Sequence, residues 1–238
     1  MGKKTYEKVL EKLLLEIPTL SCIDLSTWGE PLCNPELANI VKYTEARIPC
    51  KMSTILQERK LLGDVIQSQP SQFTISVSGT EENYERRHTG ASWETFVENM
   101  HLLRDLRRRI RPKTIFNVVY HLYRDNQGSE LDTCRSLCSE VGIPLVEDWA
   151  YLNPYDNLLD LCQEKELTAQ GNSVLKNLAW DTEKALKLAE IEHSLPCLCQ
   201  RIFPVINSDL SVALCHLYVK PRVASNYLEI SMDQLPLC

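Results

Sequence analysis

QFTISVS, at residues 72–78, is the stretch of sequence that decides the fold. Its apolar and hydroxyl side chains occupy strictly alternate positions, with Phe73, Ile75 and Val77 against Thr74, Ser76 and Ser78. A period of two predicts a β-strand that has one apolar face and one polar face. A helical pattern follows the strand, anchored by Trp93, Phe96, Val97 and Met100. The region therefore predicts a strand that leads into a helix.

The same order of strand and helix recurs along most of the chain. The other strand-like segments are SCIDLST at 21–27, PCKMST at 49–54, TIFNVVYHL at 114–122 and GIPLVED at 142–148. A first helix, which Pro18 ends, precedes them, and further helices are predicted at about 35–46, about 56–68 and around 131–141. Strands that alternate with helices of this length predict parallel βαβ units and an α/β fold.

Two architectures fit this alternation, an open doubly wound sheet and a barrel-like curve. Helices cover both faces of the open sheet, so its central strands are almost continuously apolar. Here the strands keep a polar face, which carries Asp24, Ser53, Ser76 and Asn117. We therefore predict a partial TIM-like barrel whose polar face lines a lumen that holds a ligand. An open sheet with one exposed face is the alternative.

The composition restricts the class of protein. At 238 residues, with 44% hydrophobic and 24% charged residues, the chain has the composition of a soluble globular protein. It contains no run of about 18 apolar residues, which excludes a membrane span. The N-terminus lacks the apolar stretch of a secretory signal, so we expect a cytoplasmic protein with no membrane partner. The net charge of -6 argues against a nucleic-acid partner.

RDLRRRIRPK, at residues 104–113, is a basic run at the end of a predicted helix. Cations in this position complement the carbonyl end of the helix dipole, so a solvated helix face is the favoured interpretation. A binding site for a polyanion is the alternative.

The strand–helix alternation ends near Asn157, and the chain divides into three predicted parts. Residues 1–156 form the partial barrel, and residues 157–194 form a helical connector. Residues 195–238 form a small module, in which two short strands flank a turn at Asn207-Ser208-Asp209.

The chain has ten cysteines, which is many for a reducing compartment, where metal binding, redox chemistry or burial would explain them. Six are scattered through predicted elements, and two of these, Cys134 and Cys138, lie one helical turn apart among leucines. We interpret that pair as core residues. The remaining cysteines crowd the C-terminal module: Cys197, Cys199, Cys215 and Cys238.

TWGEPL, at residues 27–32, follows the first predicted strand, at the edge of the sheet where α/β folds bind ligands. Gly29 allows the backbone to approach a ligand closely, and Pro31 fixes the turn. Alone, a Gly-Glu-Pro sequence is a weak signal, and its meaning depends on the neighbouring segments.

Together these segments resemble the radical S-adenosylmethionine (radical SAM) enzymes, in particular the subgroup with a C-terminal SPASM or twitch auxiliary-cluster module. IDLSTWGEPLCNPELANIV resembles the second strand and GGEP-type motif of that family, and CKMSTILQERKLL resembles its third strand. FTISVSGTEENYERRHTGASWETFVEN resembles the fourth strand and the Ser, Gly, Tyr, Arg, Gly and Asn pattern that follows it. VVYHLYRDNQGSELDTCRSLCSEVGIPLVED resembles the fifth and sixth strands, and CLCQRIFPVINSDLSVALC the opening of the auxiliary module.

The resemblance implies a partial (β/α)6 barrel in which a [4Fe–4S] cluster and S-adenosylmethionine generate a 5′-deoxyadenosyl radical. It assigns Gly29, Glu30 and Pro31 to the amino group of S-adenosylmethionine. It assigns the ribose and carboxylate of the ligand to Ser53, Thr54, Ser76, Ser78 and Arg87. Hydroxyl groups and an arginine fork are suitable partners for a carboxylate.

The sequence departs from the family at both ends. The Cys-x3-Cys-x2-Cys loop that holds the catalytic cluster has no counterpart, so we expect a fragment truncated at its N-terminus, or the downstream part of a split protein, that does not ligate that cluster. Cys197 or Cys199, with Cys215 and Cys238, would begin an auxiliary-cluster site, although Leu210 occupies the usual glycine position. Zinc and metal-free reduced thiols are the alternatives.

The functional expectation is a radical SAM enzyme, or a fragment of one, that modifies or matures a peptide or protein. The resemblance also implies an electron donor such as a flavodoxin or a ferredoxin. No catalytic residue is assigned, and His88, His121, Glu147 and Asp148 are further candidates near the ligand. The alternatives are a non-catalytic barrel that binds S-adenosylmethionine and a zinc-stabilised scaffold.

Overall fold

The computed structural model describes residues 1–152, 156–163, 165–181, 184, 187, 204–216 and 222–235. The chain forms two compact units, of which the first comprises Met1–Leu122 and Asn126–Asp148. The second comprises Tyr123–Asp125 and Trp149–Cys238. The predicted three-part division at residues 156 and 194 stays a prediction.

A five-stranded parallel sheet forms the centre of the fold, and its strands lie side by side in chain order. The strands are β1 (Ile23–Asp24), β2 (Cys50–Thr54), β3 (Gln72–Val77), β4 (Ile115–Leu122) and β5 (Leu145–Trp149). Helix α1 (Lys3–Glu16) precedes them, and the helices between them are α2 (Leu37–Glu45), α3 (Leu62–Gln67), α4 (Glu81–Arg87), α5 (Trp93–Ile110) and α6 (Ser129–Val141).

The strand order explains why one face of the sheet is polar. Crossover connections between parallel strands are right-handed, so strands added always in the same direction carry all their helices on one face. A doubly wound sheet reverses its strand order at a switch point and carries helices on both faces. The observed order therefore excludes the doubly wound alternative and is compatible with a partial barrel.

The helix-covered face holds the hydrophobic core of the first unit. Phe73, Ile75 and Val77 of β3 are all 0% exposed and pack in one cluster with residues of α5 and α6. Cys134 and Cys138 of α6 are 2% and 4% exposed in the same cluster, which confirms that they are core residues. Burial raises the pKa of the Cys138 thiol to about 11, so this thiol stays protonated at neutral pH.

Two differences from the predicted elements lie beside the carboxyl edge of the sheet. The helix predicted from about residue 56 begins only at Leu62, because residues after β2 form a loop in which Leu56 has a φ of 57°. Helix α4 was not predicted, and it occupies the connection between β3 and α5. Both differences arise where backbone groups are held by residues distant in sequence.

The second unit contains α7 (Asp156–Cys162), α8 (Ala169–Asn177) and a small antiparallel sheet. Its strands are β6 (Val205–Ile206), β7 (Val212–Ala213) and β8 (Arg222–Ala224). The pairing of β6 with β7 confirms the two short strands predicted around residues 207–209, and β8 was not predicted. In the part of the chain that the structure describes, no helix is long and apolar enough to cross a membrane.

Candidate functional site

The open face of the sheet carries a ladder of polar side chains across β2, β3 and β4. Ser53 is in register with Thr74, and Thr74 is in register with Asn117. The hydroxyl oxygens of Ser53 and Ser76 lie 2.9 Å apart, and Thr74 Oγ1 donates a hydrogen bond to Asn117 Oδ1 at 2.9 Å. All four side chains are half-buried. Three of the four predicted residues, Ser53, Ser76 and Asn117, therefore take part in the ladder, whereas Asp24 is exposed and accepts hydrogen bonds from Ser26.

The Glu30 carboxylate joins the loop after β1 to the end of β2. Its Oε1 accepts hydrogen bonds from the Leu32 amide at 3.0 Å and from Thr54 Oγ1 at 2.6 Å. Its Oε2 accepts a hydrogen bond from the Ile55 amide at 2.9 Å. A carboxylate has room for about four such bonds, so most of its capacity is used inside the protein. Any contact of this loop with a ligand therefore falls mainly to its backbone.

The neighbours of Glu30 differ in accessibility. Gly29 is exposed, and a Cβ atom built on it would meet nothing within 4 Å, so the space beside this backbone is open. Pro31 is buried at the first position of the 3-10 helix Pro31–Cys33, where its fixed φ suits the helix start. The Gly-Glu-Pro sequence thus combines an open backbone position with two residues that hold it in place.

Thr54 lies on the opposite face of β2 from Ser53. It is 2% exposed, and its hydroxyl both donates to Glu30 and accepts a hydrogen bond from the Leu56 amide at 2.9 Å. The alternation of a strand produces this separation, because successive side chains point to opposite faces. The Thr54 hydroxyl therefore organises the loop after β2, and Ser53 is the hydroxyl that faces the open side of the sheet.

A second set of hydrogen bonds holds the loop after β2 through its backbone carbonyls. Tyr84 Oη donates to the Ile55 carbonyl at 2.8 Å, and Asn99 Nδ2 donates to the Leu56 carbonyl at 2.9 Å. Gln57 Nε2 donates in turn to Tyr84 Oη at 2.9 Å. Burial raises the pKa of the Tyr84 phenol, so it stays a neutral donor. The loop is thus fixed by side chains that follow β3.

The loop after β3 is shaped by a close approach at Gly79. This residue has a φ of 129°, and a Cβ atom on it would lie 2.8 Å from Glu130 Oε2 and 3.0 Å from Arg87 Nη1. Arg87 Nη1 donates to the Ser78 carbonyl at 2.7 Å, and Glu130 Oε2 accepts from the Thr80 amide at 2.8 Å. Only glycine fits this conformation and this space.

Two half-buried histidines, His88 and His121, lie near the same edge of the sheet. Burial, together with the neighbouring His121 and Arg87, lowers the pKa of His88 to about 4. Burial also lowers the pKa of His121, on the polar face of β4, and the nearby Asp148 carboxylate opposes that shift. Both imidazoles are therefore neutral at pH 7. His88 Nε2 is buried without a hydrogen-bond partner among the described residues.

The structure brings most of the predicted ligand-binding residues to one edge, in three pairs. Glu30 bonds to Thr54, Ser53 bonds to Ser76, and the carbonyl of Ser78 bonds to Arg87. The sequence did not identify Glu130, which holds the Thr80 amide in the loop after β3. It also did not identify Gln57, which lies in the loop after β2 and accepts a hydrogen bond from the Ser92 amide. Glu130 lies in the first turn of α6, where an acidic residue is typical of any helix, so its sequence position carried no signal.

The predicted metal ligands lie mostly outside the described residues. Cys197, Cys199 and Cys238 are outside the described residues. Cys215 is described, and it is 6% exposed in the second unit. Within the ranges that the structure describes, no three His, Cys, Asp or Glu side chains are grouped closely enough to hold a metal ion. Leu210 has a φ of 70°, in the left-handed region that favours glycine.

The fold is similar to that of two solved proteins, both with S-adenosylmethionine (AdoMet) bound. The structure of native anSMEcpe with bound AdoMet is similar with a TM-score of 0.58 and 14% identity, over 98% of this chain and 71% of that chain. Streptococcus suis SuiB bound to S-adenosylmethionine is similar with a TM-score of 0.57 and 15% identity, over 98% of this chain and 57% of that chain. No protein-family model and no curated protein sequence matches the chain.

At this level of identity the likeness establishes the fold alone. The chain shares its α/β fold with these two proteins, and it spans about 57% of the length of SuiB. Other structures of these two proteins contain peptides: anSMEcpe with AdoMet and a Cp18Cys peptide has a TM-score of 0.54, and SuiB with the precursor peptide SuiA has one of 0.56.

Proposed function

We propose that this chain binds S-adenosylmethionine at the carboxyl edge of β1–β4, as part of a radical SAM enzyme. The observation that carries the proposal is the polar ladder on the open face of the sheet, in which Ser53 bonds to Ser76 and Thr74 bonds to Asn117. The likeness in fold to anSMEcpe and SuiB, both solved with this ligand, supports it. Ligands of parallel α/β folds bind at this edge of the sheet.

The proposed ligand is a zwitterion, and the edge offers partners for both of its charges. The open backbone beside Gly29 suits the amino group, because an ammonium group needs carbonyl acceptors. The hydroxyl pair of Ser53 and Ser76 suits the carboxylate or the ribose, and Arg87, which donates to the Ser78 carbonyl after β3, is a further partner for the carboxylate. Thr54 acts through Glu30 as a positioning residue, because its hydroxyl is already used twice.

A [4Fe–4S] cluster would supply the electron that cleaves the bound sulfonium in radical SAM chemistry. The described residues do not form a group suited to such a cluster, so no step of the proposal passes through it. The role that we assign to this chain is to bind and orient S-adenosylmethionine. We include an auxiliary-cluster module at residues 195–238 in the proposal, and the glycine-like conformation of Leu210 supports it.

The proposed substrate class is a peptide or a protein, with a flavodoxin or a ferredoxin as electron donor. Structures of anSMEcpe with the Cp18Cys peptide and of SuiB with SuiA support the substrate class. A half-buried polar face with space beside Gly29 is compatible with a small cofactor below an extended substrate.

Isothermal titration with S-adenosylmethionine tests the proposal. The wild-type chain is expected to bind, and the double variant S53A/S76A is expected to bind at least about tenfold more weakly, since hydrogen bonds to charged groups contribute about 1.5–3 kcal/mol. The matched control is Ser136→Ala, which removes an exposed hydroxyl on α6 that bonds to the Asp132 carbonyl. No wild-type binding at millimolar ligand, or an equal loss in the control, would overturn the proposal.

A further inference from the structure

A second concave site lies at the opposite edge of the first unit. It encloses about 510 Å³, which is within the usual range for small-molecule sites. Its lining includes Arg104, Arg107, Arg108, Arg111, Thr114 and Phe116. Thr114 precedes β4, so this groove lies at the amino end of that strand. A strand of eight residues extends about 23 Å, which separates the groove from the proposed S-adenosylmethionine site.

The groove concentrates positive charge in an acidic protein. Four arginines and one carboxylate, Glu140, line the groove in a chain whose net charge is -6. Two arginines of the groove are already engaged: Arg107 donates to the Val141 and Gly142 carbonyls at 3.1 and 3.0 Å, and Arg104 pairs with Asp105 and Glu140. Arg108 and Arg111 form no ion pair within the described part of the chain.

The helix dipole accounts for only part of this arrangement. Cations in the last turn of α5, from Arg107 to Arg109, complement its carbonyl end. Arg111 follows the helix in the left-handed region, with a φ of 53°, so it lies outside that turn. Arg109 belongs to the same turn but does not line the groove. Only some of the arginines at this end of α5 therefore line the groove, and the helix dipole alone does not explain which ones do.

The Thr114 side chain provides an independent observation that points to a ligand. It is 8% exposed, and its Oγ1 has no hydrogen-bond partner among the described residues. A buried hydroxyl that lacks a partner destabilises the folded state, so such groups are rare unless something else bonds to them. Thr114 lines the groove but its Oγ1 is itself shielded from solvent, so the side chain must rotate before an anion bound there can accept this hydrogen bond.

We infer that this groove binds the phosphate group of a small anion, free or carried by a small organic molecule. Two arginines without ion pairs and one hydroxyl approach it from α5, from the turn after α5 and from the start of β4. A phosphate presents oxygens in several directions and forms bidentate bonds with guanidinium groups, whereas a carboxylate accepts hydrogen bonds mainly in one plane. A phosphate therefore suits a groove that offers more than one guanidinium group.

Isothermal titration with inorganic pyrophosphate tests the inference. The wild-type chain is expected to bind it, and R108Q/R111Q is expected to bind it at least tenfold more weakly. Arg109→Gln is the matched control, because it removes a charge from the same helical turn but outside the groove. It is expected to change the affinity less than twofold. Absence of wild-type binding, or an equal loss with Arg109→Gln, would overturn the inference.

Two further measurements separate phosphate recognition from general attraction of anions. Thr114→Val keeps the shape of the side chain and removes only the buried hydroxyl, so it is expected to fold and to weaken pyrophosphate binding several-fold. Unchanged affinity in this variant would contradict the assigned hydroxyl contact. Hexaglutamate is expected to bind more weakly than pyrophosphate, and equal or tighter binding would make the groove a site for acidic peptides instead.

Discussion

Ile75 and Ser76 are neighbours in β3, and they contrast the two faces of the sheet. Ile75 is 0% exposed and packs against the helices, whereas Ser76 is half-buried on the open face and bonds to Ser53. The covered face supplies hydrophobic stabilisation, because its apolar surface is removed from water. The open face supplies little stability and keeps hydroxyl groups available. Stability therefore comes mainly from one face of these strands, and the proposed ligand binding lies on the other.

The largest effect is expected on the covered face. Ile75→Ala should lower the free energy of unfolding by about 3 kcal/mol, because it leaves a cavity in a closely packed core. Urea denaturation followed by circular dichroism measures this loss. A loss below about 1 kcal/mol would mean that this face is not the main source of stability, and the contrast between the faces would not hold.

The Glu30 carboxylate, which joins the loop after β1 to the end of β2, is expected to give the next largest effect. Glu30→Gln replaces one carboxylate oxygen by an amide NH2 group, which is a donor. In one orientation this donor faces the Ile55 amide, and in the other it faces the Leu32 amide and the Thr54 hydroxyl. The expected loss of stability is about 2 kcal/mol, from bonds left unmade. Denaturation should be compared with Glu58→Gln, which makes the same change at an exposed position. Similar losses in both variants would contradict a role specific to the Glu30 carboxylate.

The half-buried His88 is expected to make stability depend on pH. Its pKa is about 4 in the folded protein and about 6.5 when unfolded, so the unfolded chain binds more protons below about pH 6.5. Above that pH His88 is neutral in both states and does not lower the free energy of unfolding. As the pH falls toward 4, protonation of His88 in the unfolded chain lowers it. Between pH 7.0 and 5.5 the free energy of unfolding should fall by about 1 kcal/mol from this group.

His88→Gln provides the comparison for the pH effect. The variant has no imidazole at this position, so its stability should fall about 1 kcal/mol less between pH 7.0 and 5.5 than that of the wild type. Urea denaturation at the two pH values measures both. Parallel pH profiles for wild type and variant would show that His88 is not held neutral by burial.

The smallest effect is expected on the open face. Ser76→Ala removes one hydroxyl from a half-buried pair and should cost only about 0.5 kcal/mol of stability. The same denaturation experiment that is used for Ile75→Ala measures it. A loss above about 1.5 kcal/mol would show that the open face is structural, and its assignment to ligand binding would lose its basis.

The sequence predicted the strands better than it predicted the loops between them. Alternation in residues 72–78 identified β3 and the faces of its side chains correctly, because the period of a strand is a local property. The helix predicted from residue 56 was too long at its start. The Ile55 and Leu56 carbonyls are held by Tyr84 and Asn99, which are 29 and 43 positions away. No local pattern contains that information.

The candidate site shows the same limit. The resemblance grouped Ser53 with Thr54 as ligand contacts, and this assignment stays a prediction. In the structure the two hydroxyls lie on opposite faces, and the one on Thr54 serves Glu30. Glu130 was missed, although it holds the Thr80 amide beside Gly79. Its partner lies 50 positions earlier in the chain, so only the folded arrangement identifies it.

The sequence by itself determined which side chains share a face of each strand, because a period of two follows from the geometry of a single extended chain. The tertiary structure decided the order of the strands and the partners of Glu30. It also decided which arginines line the groove together with Thr114. These features depend on contacts between segments that are distant in sequence. Such contacts form only when burial of the shared core brings the segments together.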